Sequence, residues 1–279
     1  TAPALAVSAA FDIARGRVAL GNGMTMPTNG LGTYSLYDQT CVDSVRAALA
    51  SGVRLIDTAH IYGNEAEVGR AVRESGVPRE DVFVITKLHP SQFGNGDQAI
   101  EEALAKLGLG FIDLMLLHHS GSGDVEAYRA IERAIAAGTV RAAGLSCFYR
   151  DELTRFLPEV SVKPVLVQNG VHPYYQDAEV VPFIQELGIA VQAWYPLGGR
   201  EHNEELLADP ALAAIAEAHG VSIHQVILRW DLQRGIVVIP GSSNPDHIRE
   251  DADIYGFMLS DDEMAAIAAL DRREKHDWY

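Results

Sequence analysis

The feature that most constrains this chain is a single period: a short β-branched or leucine-rich run, followed by a longer stretch with apolar residues at three and four spacing, repeated eight times. Side chains two apart share a strand face and those three or four apart share a helix face, so the pattern predicts alternating strands and helices. Strands are expected at 29–32, 54–57, 82–87, 112–118, 140–145, 165–170, 190–194 and 236–240, with helices at 41–51, 65–75, 98–107, 125–137, 151–157, 177–187, 222–232 and 245–255. Eight alternations without a Pro/Gly/Ser-rich break predict one closed parallel sheet, an α/β fold of the (β/α)8 TIM-barrel type spanning 1–279 as one domain. The 279 residues suit it, since such barrels run to roughly 250 residues as one unit. Runs at 17–20 and 24–26 flank Gly21-Asn22-Gly23, a turn tolerant of positive φ, and predict an N-terminal β-hairpin. Two extra helices are expected at 210–219 and 260–270, the second opened by the capping box Ser260-x-x-Glu263. Residues 1–15 read as a frayed N-terminus and 271–279 as a polar C-terminal tail over one mouth of the barrel.

Charge narrows the partners. Subtracting 38 acidic from 22 basic residues leaves −16, with no offsetting Lys/Arg cluster. Nucleic acid and anionic membrane surfaces are therefore poor partners. Cys41 and Cys147 are the only cysteines and lack metal or redox spacing. No apolar run approaches the roughly 18 residues of a membrane span, and the start has no basic n-region of a signal peptide. A monomer in the cytoplasm is the expectation.

In such a barrel, chemistry gathers where the strands end. Strand two ends in Asp57, three in Lys87, four in His118 and His119, five in Ser146, six in Gln168 and Asn169, and seven in Trp194 and Tyr195. Each alone has a structural explanation, such as a helix cap or a snorkelling stem. Inward polar residues on consecutive strands are harder to explain that way. Alternation puts Asp57 with Leu55, Lys87 with Phe83 and Ile85, and His118 with Leu114 and Leu116, so the three converge inside the mouth. His118 and His119 point oppositely on a regular strand, and no metal site is expected. Tyr62 follows Asp57 by one short turn. An ammonium beside its phenol favours phenolate, drawing a reference pKa of about 10 towards neutrality and making Tyr62 a workable general acid.

Several segments together resemble the aldo-keto reductase family, in order over nearly the whole chain: Gly30-Leu31-Gly32-Thr33-Tyr34, Asp57-Thr58-Ala59-His60-Ile61-Tyr62-Gly63-Asn64-Glu65, Ile85-Thr86-Lys87-Leu88, Asp113-Leu114-Met115-Leu116-Leu117-His118, Val167-Gln168-Asn169, His172-Pro173 and Trp194-Tyr195-Pro196-Leu197-Gly198. The nearest look is the bacterial branch of the 2,5-diketo-D-gluconate reductases, with Leu228-Arg229-Trp230 also shared. The resemblance implies reduction of an aldehyde or ketone by hydride from NADPH or NADH, with Tyr62, Asp57, Lys87 and His118 as the catalytic set. It also implies Trp194 stacking on the nicotinamide, Ser146 and Gln168 bonding its carboxamide, and Thr33 and Leu197 beside the cofactor.

The departures are informative. Cys147 stands where the family usually has Asn, and His89 and His119 occupy common Trp positions. They imply a more polar pocket, with Tyr34, His89, His119 and Trp278 around a keto-sugar, keto-acid or small dicarbonyl. After strand eight, Gly241 and His247 replace the Lys and Arg that commonly clamp the 2′-phosphate of NADPH, leaving Ser242, Ser243 and Asn244 as donors and Arg249 undecided by periodicity. Glu250 and Asp251 match positions facing the adenine amine. NADH use, or use of both cofactors, is expected. Two rival readings are a cofactor-binding regulatory or interaction module with little turnover, and a metal-dependent hydrolase or isomerase using Asp57, His118 and His119.

Overall fold

Strands form where the chain is most continuously apolar. In the computed structural model, which describes residues 11–275, β1 (Phe11–Asp12), β2 (Arg17–Ala19) and β3 (Thr25–Pro27) form a small antiparallel sheet. Eight parallel strands follow: β4 (Leu31–Gly32), β5 (Leu55–Asp57), β6 (Phe83–Leu88), β7 (Leu114–Leu117), β8 (Ala143–Ser146), β9 (Leu166–Gly170), β10 (Ala190–Trp194) and β11 (Ile236–Val238). They pair in sequence order from β4 to β11. A parallel bridge between Asn29 and Val238 joins the two ends, with Gly30 N donating to Val238 O and Val238 N to Thr28 O. The sheet is thus a closed (β/α)8 barrel, and all eight expected strands are present.

Period-two alternation builds two cores. Ile56, Val84, Met115, Leu117, Leu145 and Val167 point outward to the helices. Leu55, Phe83, Ile85, Leu114, Leu116 and Val237 fill the barrel, where Phe11, Val18, Leu20 and Met26 of the N-terminal sheet join them. The hairpin therefore packs on the barrel interior, away from the strand ends that carry Asp57 and Lys87. Gly32 shows why the first strand needs glycine: a Cβ there would lie 2.7 Å from Ile239 O.

Three differences from the sequence reading have local causes. Phe11 and Asp12 pair with Val18 and Arg17, so the frayed segment expected through residue 15 does not extend that far, and residues 1–10 lie outside the described ones. A helix at Gly199–Leu207 was not expected, because its Gly-rich start and polar sequence carry little apolar periodicity. The helix expected to reach 255 runs Pro245–Ala252. Residues 271–275 have no regular structure, but Arg272 N donates to Tyr174 O at 3.0 Å and the Arg272 guanidinium lies 3.6 Å over the Tyr174 ring. Trp278 lies outside the described residues.

Candidate functional site

β5 delivers Asp57 and β6 delivers Lys87 to the same point inside the mouth. Lys87 Nζ donates to Asp57 Oδ1 at 2.5 Å, to Thr58 O at 3.0 Å and to Tyr62 Oη at 3.3 Å. Gln168 Nε2 donates to the other Asp57 oxygen at 2.8 Å and to Gln192 Oε1 at 2.6 Å. Asp57 and Lys87 are both about 1% exposed, so neither charge is solvated. Burial pushes the Asp57 carboxyl above its ordinary range and the Lys87 ammonium below its own, while their contact opposes both shifts. Breaking a buried pair of this kind leaves an uncompensated charge.

Tyr62 reaches this lysine from a 3₁₀ turn, His60–Tyr62, that Gly63 ends at φ 68°. Asn64 holds the turn in place. Its amide donates to Thr33 O and Leu36 O, each at 2.8 Å, and its carbonyl accepts from Thr58 Oγ1 at 2.6 Å. Glu65 accepts from Thr86 Oγ1 at 2.6 Å. Sequence reasoning had given Asn64 and Glu65 no task. The Tyr62 and His118 rings meet edge to face with centroids 5.7 Å apart. Burial pushes the His118 imidazole down to about 2, aided by Lys87, His119, His89 and His60, so the ring is neutral at ordinary pH. A neutral imidazole offers one N–H donor.

Above these groups opens a cleft of about 430 Å³. Tyr34, Asp57, Tyr62 and His118 line one part, and Ser146, Cys147, Gln168, Trp194 and Leu197 the middle. Gly241, Ser242, His247 and Asp251 line it as well, so most of the residues expected to hold a cofactor face one space. Trp194 lies against Gly170, where a Cβ would come within 2.9 Å of the indole. Cys147 and Tyr195 hold left-handed backbone at φ 53° and 50°, a strained geometry that clusters at functional sites.

A nicotinamide dinucleotide fits the donor set. The Gln168 amide nitrogen is occupied by Asp57 and Gln192, which turns its carbonyl to accept from a carboxamide. The amide orientation follows from this hydrogen-bond network. Asp251 is 5% exposed and lines the cleft, and its Oδ1 has no hydrogen bond among the described residues. That atom suits an amine from outside the chain.

Several expected residues lie elsewhere. Thr33 is buried and donates to Asp57 O at 3.0 Å. Ser243, Asn244 and Glu250 are exposed and do not line the cleft, and Asn244 caps the Pro245–Ala252 helix by accepting from Asp246 N. Arg249 turns outward to pair with Asp246. His89 and His119 surround His118 at ring distances of 6.1 and 6.3 Å without lining the cleft themselves. Among the described residues no three His, Cys, Asp or Glu side chains converge to hold a metal ion. The sequence reading missed Ser35, Arg200 and His224, all of which line the cleft. Arg200 Nη2 donates to Ser35 Oγ at 3.0 Å from the helix that the periodicity did not reveal.

Comparison with known proteins agrees with this geometry. The model of the aldo/keto reductase family matches residues 19–272. Morphine 6-dehydrogenase of Pseudomonas putida is 38% identical over 266 residues, covering 90% of each chain. The 2,5-diketo-D-gluconic acid reductase B of a Corynebacterium species is 39% identical over 260 residues, covering 91% of this chain and 93% of that one. The crystal structure of MGS-M4, an aldo-keto reductase from a Medee basin deep-sea metagenome library, superposes with a TM-score of 0.91 at 35% identity, covering 93% of this chain and 96% of the other.

Proposed function

The chain belongs to the aldo/keto reductase family, and from that premise we propose that it reduces the carbonyl of a small polar aldehyde or ketone, a keto-sugar, keto-acid or dicarbonyl, with NADH or NADPH. The observation that carries this reading is the chain of contacts Asp57–Lys87–Tyr62, at 2.5 and 3.3 Å, opening beneath a cleft with Trp194 on its wall. The cofactor supplies the hydride that adds to the carbonyl carbon. As that bond forms, negative charge develops on the carbonyl oxygen, and the groups able to meet it are already in place.

Tyr62 donates its phenolic proton to that oxygen, so the product is the alcohol and the residue is left as phenolate. Lys87 stabilises the phenolate across the short gap between them. Asp57 and Gln168 hold the lysine side chain and its partner in position. His118, neutral because it is buried, donates a hydrogen bond to the same oxygen without competing for the proton. Solvent then reprotonates Tyr62. Tyr34 at the rim and His118 are the cleft residues we assign to a polar substrate, while His89 and His119, stationed around His118 and outside the cleft lining, make the surroundings of that ring polar.

The test mixes purified protein with NADH or NADPH and a reactive dicarbonyl and follows the loss of reduced-nicotinamide absorbance, with and without chelator. Turnover indifferent to chelator is expected. Tight cofactor binding without turnover would instead favour a regulatory module.

A further inference from the structure

The interior layers of a barrel of this kind are ordinarily branched and apolar, so two neighbouring amides among them need a reason. Gln168 of β9 and Gln192 of β10 stand opposite each other in register. Val191 and Ala193, on either side of Gln192, face the outer core, which sends the Gln192 side chain into the barrel. Gln192 is fully buried and does not line the cleft, whereas Gln168 does. One inward step nearer the mouth on the same two strands come Gly170 and Trp194. Gln192 therefore lies beneath the cleft, one layer below the indole on its wall.

Asp57 dictates the polarity of both amides. With Lys87 on its Oδ1, the carboxylate offers Oδ2 as an acceptor, so Gln168 turns its nitrogen to it at 2.8 Å. The second N–H of that nitrogen then needs an acceptor of its own, and Gln192 Oε1 supplies it at 2.6 Å. Reversing either amide would set N–H against N–H or carbonyl against carboxylate. One hydrogen bond leaves an amide free to swing about it, but two on the same nitrogen fix its plane. Gln192 Nε2, meanwhile, is buried without a hydrogen-bond partner among the described residues. Packing alone would be better served by an apolar side chain of the same size, which leaves no such orphan.

We infer that Gln192 is a positioning residue for hydride transfer. Its carbonyl locks the Gln168 amide, so that the nitrogen end braces Asp57 behind Lys87 and the oxygen end is held towards the carboxamide of a nicotinamide in the cleft. This rests on the cofactor reading above.

The experiment is titration calorimetry with NADH and NADPH, each beside its reduced acetylpyridine analogue, in which a methyl group replaces the carboxamide nitrogen and nothing can donate to Gln168 Oε1. Wild type should bind the carboxamide cofactors about five- to tenfold more tightly, the worth of one neutral hydrogen bond. Gln192→Met, close in volume, should bring that ratio to within about twofold of unity, because the freed amide no longer holds its carbonyl in place. Its melting temperature should stay within about 3 °C of wild type, since the substitution removes one unpartnered N–H as it creates another. Dicarbonyl turnover should fall at an unchanged KM for the dicarbonyl. Gln192→Glu keeps an accepting oxygen and should keep the ratio. Wild-type discrimination in Gln192→Met, its loss in Gln192→Glu, or a Gln192→Met chain that does not fold overturns the inference while the cofactor reading stands. So does a wild type that binds both kinds of cofactor equally. Failure of all four nucleotides to bind wild type contradicts the cofactor reading itself.

Discussion

At the scale of single residues, environment decides what each group can do. His118 is held neutral to about pH 2, so below the ordinary histidine pKa of about 6.5 the unfolded chain takes a proton that the folded one refuses. Stability from this residue is therefore present above pH 6.5 and lost as pH falls, by about 2 kcal/mol at pH 5. Asp251, pushed up by burial to about 7, acts in the opposite direction, gaining stability on acidification. The clean observable is a difference: between pH 7 and 5, urea unfolding should show wild type losing about 2 kcal/mol relative to His118→Gln. Parallel pH curves would contradict a neutral His118. Lys87→Met should abolish reduction and also destabilise the fold by about 3–5 kcal/mol, because Asp57 is left buried without its partner. Adding Asp57→Asn should recover most of the melting temperature and none of the activity. A double variant no more stable than Lys87→Met would show that the pair is not the source of the loss. Asp57, Lys87 and His118 were legible because strand alternation sets their direction. His224 and Arg200 were not, because a cleft-lining role in the first turn of a helix has no periodic signature.

At the scale of elements, close approaches set the limits on change. The helix Glu65–Glu74 passes so near the end of Gly96–Leu107 that a Cβ on Gly69 would lie 1.9 Å from Leu107 O. Gly69→Ala should therefore cost about 1–3 kcal/mol or more, read as a lower urea midpoint at unchanged slope. An unchanged midpoint would mean the two helices part freely. Gly241 is constrained in the same way, since a Cβ there would stand 2.9 Å from Gly32 O. A lysine at 241 therefore needs the backbone to move, and His247→Arg is the cleaner way to add a clamp. That variant should tighten NADPH about tenfold with little change for NADH, most strongly at low salt, by fluorescence quenching. Equal tightening of both nucleotides would place residue 247 away from the ribose phosphate. Element boundaries were legible to within a few residues where apolar periodicity was strong. Gly199–Leu207 escaped because only Leu206 among its side chains is buried.

At the scale of the whole molecule, the barrel concentrates its unusual groups at one end and leaves the other to packing. Asp113 illustrates the division. It belongs to a motif that resembles the reductase family, yet it lies ahead of β7, accepting from Arg79 at 2.8 Å and Val84 N at 2.9 Å, a clamp and not a reacting group. The sequence alone could place it in the family pattern but not at the far end of the strand. Tyr62 shows the converse, since its position comes from a turn that Gly63 ends and that Asn64 ties to Thr33, Leu36 and Thr58. With a net charge of −16, the molecule draws no help from its overall field in attracting an anionic nucleotide, so binding must come from the cleft's own donors. The most direct test of the central claim is Tyr62→Phe, assayed for dicarbonyl reduction and for cofactor binding side by side. Loss of the general acid predicts a fall in turnover of about 10² to 10⁴-fold with the cofactor Kd nearly unchanged. A variant that turns over at the wild-type rate would contradict the account.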